Sequence, residues 1–130
     1  MQETYGAQRR KEINMEIKIV KDSISKKELI DIAEKQFGDL VKAVIDIEQM
    51  IMAIGGELHA DGEVALIEQE GSKREHIWGI NLYPGKKEEE WIEFNSVINL
   101  KPVFGNRSRG IDNPEIQKKI RNIVEKLVSR

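Results

Sequence analysis

The sequence contains no cysteine, which excludes disulfides, thiolate zinc sites and cysteine nucleophiles and fits a reducing compartment. It also lacks any apolar run approaching the roughly 18 residues that a membrane span needs. The opening segment Gln2–Asn14 is polar and has no apolar core of a secretory signal. A cytoplasmic protein without a membrane partner is the expectation. No Walker loop, GxGxxG, GxSxG or HExxH string occurs, so the common nucleotide and hydrolase templates are unsupported. Aromatic residues make up only 5% of the chain, and none falls in the pattern of an RNA-stacking sheet; Trp78, Tyr83, Trp91 and Phe94 read as core or sheet-face packing. A net charge of −2 argues against bulk nucleic-acid binding. Nothing in the sequence names a cofactor.

What is present suffices for one ordinary domain, since 130 residues bury a real core without cross-links. Charge is unevenly placed. Residues 39–100 hold thirteen acidic and five basic side chains, whereas 101–130 hold eight basic and three acidic, so an acidic middle meets a basic end that can attract an anion. Residues 1–14 lack periodicity and read as a flexible leader or tag-like tail, with 15–130 as the domain.

Glu16–Lys21 alternates as a first strand, and Ser25–Glu28 forms a capping box that opens a helix through Leu29, Ile32, Ala33 and Phe37 to a stop at Gly38. Leu40–Ile47 has the two-residue period of a strand. Met50–Ile54 is apolar on both sides and is read as a strand ending in a Gly55–Gly56 bulge, with a buried helix start as the alternative. Asp61–Gly62 suits the centre of a tight hairpin, with Val64–Gln69 as the returning strand. His76–Tyr83 and Trp91–Leu100 complete the strands. A last helix is marked by Ile116, Ile120, Ile123, Val124, Leu127 and Val128, with Pro114 in its first turn and Asp112 or Asn113 as its cap. These elements predict an α+β domain: a mainly antiparallel meander of about five strands with two amphipathic helices on one face.

Three stretches carry candidate chemistry. Asn106, Arg107, Ser108 and Arg109 lie between Gly105 and Gly110, just before the last helix. Arginine forks, loop amides and a helix start there would clamp a phosphate or carboxylate. The same arginine loop is also explained by local pairing to carboxylates such as Asp112 or Glu115. In Gly55–Gly62, an extended chain would project Glu57 and His59 from one face, with Asp61 beside them unless the turn takes it, to act as general base or metal ligands, although one histidine without cysteine is a weak metal signature. Asn95 and Asn99, with Glu93, form a polar face of the last strand, which leads directly toward Arg107 and Arg109.

The strings GGELHADGEVALIEQEGSKREHIWGINLYP, WIEFNSVINLKP and GNRSRG resemble a small prokaryotic family known only as a domain of unknown function. The resemblance runs from about Met15 to the C-terminus. It implies a compact prokaryotic cytoplasmic protein that begins naturally at Met15, and transfers no activity or site residue. The leading functional expectation is therefore a module that binds an anionic, phosphate-bearing small ligand at Asn106–Arg109 and the last helix's N-terminus, with Asn95 and Asn99 contributing. Its rivals are a metal-assisted or general-base hydrolase using Glu57 and His59, and a homodimeric interaction module that exposes Met50, Ile51 and Met52.

Overall fold

The computed structural model describes residues 16–129; the leader assigned to residues 1–14 lies outside the described residues. Strand β1 (Ile17–Val20) and the short β2 (Ile24–Ser25) precede helix α1 (Lys26–Lys35). Ser25 caps α1 as its capping-box position predicts, its side chain accepting from the Glu28 N–H at 3.0 Å. β3 (Val41–Asp46) and β4 (Ile51–Gly55) follow as an antiparallel pair.

The turn between β3 and β4 is built on the Asp46 carboxylate. It accepts from the Glu48 and Gln49 amides, from the Gln49 side chain and, at 2.5 Å, from the Ser72 hydroxyl. Burial pushes this carboxyl up, but the bonds from Ser72, Gln49 and Glu48 outweigh it and hold the group below its ordinary value. Met50 in the same turn adopts a left-handed φ of 59°.

The chain then departs from the sequence expectation. In place of a hairpin and a returning strand, residues His59–Glu70 form helix α2. Asp61 and Gly62 lie in its first turn rather than at a hairpin tip: the Asp61 carboxylate accepts the Leu58 N–H at 3.0 Å, satisfying an amide that the helix start would leave unpaired. Gly62 packs on the sheet, where a Cβ would stand 2.8 Å from Val44 Cγ2. Asp-Gly thus serves a cap and a close approach, two uses that resemble a turn when seen as letters.

β5 (Ile77–Leu82) follows, then β6, which is only Ile92–Glu93. Within Trp91–Leu100, expected to be one strand, Val97–Asn99 becomes a 3₁₀ turn, and a second 3₁₀ turn, Pro102–Phe104, follows the stretch. Helix α3 (Pro114–Leu127) has Pro114 in its first turn and Asn113 as its cap, as predicted. β7 (Val128–Ser129) pairs in parallel with β2 and ties the described ends together.

The main sheet has five strands in the order β1-β4-β3-β5-β6, every pair antiparallel. Register assigns the faces: Ala43, Ile54 and Ile80 lie across from one another, as do Ile45, Met52 and Trp78. That face packs with α1 and α3 through Leu29, Ala33, Ile120, Ile123, Val124 and Leu127. The expected pair of helices on one face is present. The opposite face, with Val44, Ala53 and Ile77, is covered by Leu66 of α2 and Ile98 of the first 3₁₀ turn. Each fully buried aliphatic side chain here contributes roughly 1.5–3 kcal/mol relative to exposure. Ile51 and Met52 are buried, so the apolar surface expected for a homodimer at Met50–Met52 is reduced to Met50. Among the described residues no helix is long and apolar enough to cross a membrane.

Candidate functional site

Helix α2 begins beside the middle of β5, and this places His59 under the helix, against the sheet. Its side chain is 8% exposed, and Nε2 lies 2.8 Å from the Ile80 carbonyl oxygen. A carbonyl only accepts, so Nε2–H is the donor in this pair. Burial pushes the imidazole's pKa below its ordinary value. The Ile80 carbonyl opposes that shift, as does Asn81, while the charges of Lys42 and Arg109 reinforce it. Burial first, and then the charges of Lys42 and Arg109, thus disfavour the protonated imidazole.

Those cations come from different elements. Lys42 lies on β3, in register with Asn81, and its ammonium stands 5.4 Å from the centre of the Phe37 ring. Arg109 arrives from the loop before α3, its Nε donating to Asn95 Oδ1 at 3.1 Å. The backbone of Arg109 is fixed by its carbonyl, which accepts from Ser96 N–H and from the Asn99 carboxamide.

Asn81 links the parts. Its Nδ2 donates to Glu93 Oε1 at 2.8 Å and to the Asn95 carbonyl at 3.3 Å. Its Oδ1 is buried and has no hydrogen-bond partner among the described residues. The Tyr83 hydroxyl donates to Glu93 Oε1 at 3.4 Å, and burial followed by the Glu93 charge makes that phenol harder to ionise.

The structure brings His59, Asn95 and Arg109 into one neighbourhood, and Asn99 joins it through its bond to the Arg109 carbonyl. Glu57 is exposed on the approach to α2, whereas His59 is buried, so the two do not share a strand face. Among the described residues no group of three or more carboxylates and histidines is placed to hold a metal.

Asn106 is 4% exposed and its side chain is spent on the loop itself. Nδ2 faces the carbonyls of Asn99, Ser108 and Gly110, and Oδ1 accepts the Asp112 N–H at 2.8 Å. Arg107 contributes its backbone N–H to Asp112 Oδ2, and Ser108 its hydroxyl to Asp112 Oδ1 at 2.7 Å. Those bonds hold the Asp112 carboxyl below its ordinary value. At the start of α3, Asn113 Oδ1 accepts the Glu115 N–H. The Arg107 backbone N–H and the Ser108 hydroxyl are thus taken by the Asp112 carboxylate and the Asn106 side chain by the loop backbone, while the Arg109 guanidinium is bonded to Asn95.

Asn99 is fully buried and pairs with Gly79, its Oδ1 accepting the glycine N–H at 2.8 Å and its Nδ2 donating to the glycine carbonyl at 2.9 Å. Two residues nearer the last helix, Lys101 is 4% exposed, donates to the Ile77 and Arg74 carbonyls, and stands 4.3 Å from the centre of the Trp78 ring. Burial pulls its ammonium down to about 8, Glu63 opposing and Arg74 reinforcing the shift.

Sequence reasoning missed Lys42, Asn81 and Lys101. The available signal was a polar residue interrupting an apolar strand, as in WGINL, which a solvated sheet face explains equally well.

Fold and cluster together define an α+β domain with a helix-covered antiparallel sheet and a buried histidine at one helix start. A family model described as "Protein of unknown function (DUF5674)" matches residues 18–127, and the chain belongs to that family. No curated protein and no solved structure matches it.

Proposed function

We propose that the domain binds a small anionic ligand, of the phosphate-bearing class, in the space between Lys42 and Arg109 beside His59. What supports this reading is that Lys42, across from Asn81 on β3, and Arg109, bonded to Asn95 before α3, both act by charge on the buried His59 imidazole. Like charges gathered around a group that they discourage from protonating are stabilised by an anion placed among them. Arg109 presents a planar fork suited to an oxyanion, and the first turn of α2 adds the positive end of its backbone dipole. The Asn95 carboxamide orients the guanidinium, and Asn99 with Ser96 fixes the Arg109 backbone, so the clamp is held from the protein side.

The test is a titration of sulfate, phosphate and nucleotides against the wild-type chain and a Lys42→Ala/Arg109→Ala double variant, followed by thermal unfolding. A bound anion at a hundred times its Kd stabilises the folded state by about 2.7 kcal/mol. That gain is expected in the wild type and in Arg107→Ala, and is lost in the double variant. Equal shifts in wild type and double variant would sink the reading.

A further inference from the structure

We propose that His59 takes up one proton when the anion binds, so that the site selects dianionic oxyanions and holds them more tightly as pH falls. This rests on the anion-binding reading and adds its regulation. The argument begins with Asn81 Oδ1, a buried acceptor without a hydrogen-bond partner among the described residues, on a side chain 9% exposed and adjacent to the imidazole. Rotating the carboxamide does not relieve it, because Nδ2 is engaged by Glu93 and by the Asn95 carbonyl. The neutral imidazole has a single N–H, and that one is on Ile80. A protonated imidazole has a second, the donor that Asn81 Oδ1 lacks.

Burial is the first obstacle to that proton, and Lys42 on β3 and Arg109 on the loop add to it. Of the carboxylates nearby, Glu93 on β6 accepts from Asn81 and Tyr83 and Asp61 on α2 accepts the Leu58 N–H, whereas Glu63, one turn along α2, acts by charge on Lys101 and has a buried Oε2 without a hydrogen-bond partner among the described residues. A dianion seated between the two cations removes their opposition, and the imidazolium then completes a third positive partner. Binding and protonation favour each other by thermodynamic necessity.

Sulfate is the suitable probe because its own charge does not change between about pH 5.5 and 8, so any pH dependence belongs to the protein. Calorimetric titration of the full chain with sulfate, in buffers of different ionisation enthalpy, is expected to give uptake of close to one proton per site. The association constant should rise by up to about tenfold per pH unit as pH falls. His59→Gln should bind sulfate with a flat pH profile. A nuclear magnetic resonance titration of the ring protons keeps the proposal testable without any variant: sulfate should move the His59 titration upward. Sulfate binding with no proton uptake, or an unmoved His59 titration in saturating sulfate, overturns the coupling while sparing the anion site. Absence of sulfate binding at every pH overturns both.

Discussion

The Asn99 carboxamide forms a two-bond pair with the backbone of Gly79, accepting from its N–H at 2.8 Å and donating to its carbonyl at 2.9 Å. A neighbouring strand would normally make these bonds. β6 reaches β5 only at Asn81 and Leu82, so the edge at Gly79 is closed by a side chain instead. Gly79 is required there, since a Cβ would stand 2.6 Å from Ser96 Oγ. Replacing Asn99 by leucine keeps the volume and leaves two buried backbone groups without partners, each costing about 1–3 kcal/mol. Urea unfolding of Asn99→Leu should show a loss of about 2–5 kcal/mol. An Asn99→Asp variant retains the acceptor and loses the donor, so it too should be destabilised. A loss under about 1 kcal/mol in Asn99→Leu would show that water replaces the pair.

Lys101 closes the same edge one step further along, through the Ile77 and Arg74 carbonyls. Its folded pKa, about 8, lies below the ordinary 10.5. A base whose pKa is depressed on folding destabilises the folded state while it is charged, fully so below the folded value. As pH rises from about 8 toward 10.5 the folded chain sheds this proton and the unfolded chain keeps it, so stability should rise across that window. The window to measure ends near pH 10, where tyrosine ionisation begins. Urea midpoints should climb from pH 8 to about 10 in the wild type and stay level in Lys101→Met. A wild-type profile as level as the variant's would place the ordinary amine pKa on Lys101.

Most of this architecture is legible in the sequence because local signals and tertiary packing agree. Ser25 and Glu28 mark α1, the apolar stripe of Ile120, Ile123, Val124 and Leu127 marks α3, and the two-residue period of Val41, Ala43 and Ile45 marks β3. Two stretches are misread for physical reasons. In α2 the buried surface is made by His59, Gly62, Ala65 and Leu66, small or polar residues that leave little amphipathic contrast, while Val64 and Ile67 remain exposed. After Glu93 the chain keeps an alternating pattern but leaves the sheet, because the Ser96 and Asn99 side chains take the bonds that a strand would make with its backbone. The candidate site was legible only in part, as His59, Asn95 and Arg109. Lys42 and Asn81 join them through strand register, which no local pattern encodes.

The contact between Gly62 and Val44 sets how closely α2, and His59 with it, approaches the sheet. A Cβ at residue 62 would stand 2.8 Å from Val44 Cγ2 and 3.4 Å from Val44 Cβ. Gly62→Ala gains up to about 1 kcal/mol of helix propensity. Overpacking at the sheet costs about 1–3 kcal/mol, so a net loss is expected. Because the clash is with one side chain, Val44→Ala in the same molecule should relieve it, and the double variant should be more stable than the sum of the single losses implies. The measurement is a double-mutant cycle by urea unfolding, with the His59 ring resonances followed in parallel. Gly62→Ala should move those resonances, and Val44→Ala should bring them back toward their wild-type positions. Additive losses with unmoved resonances would show that α2 is not set against the sheet by this contact.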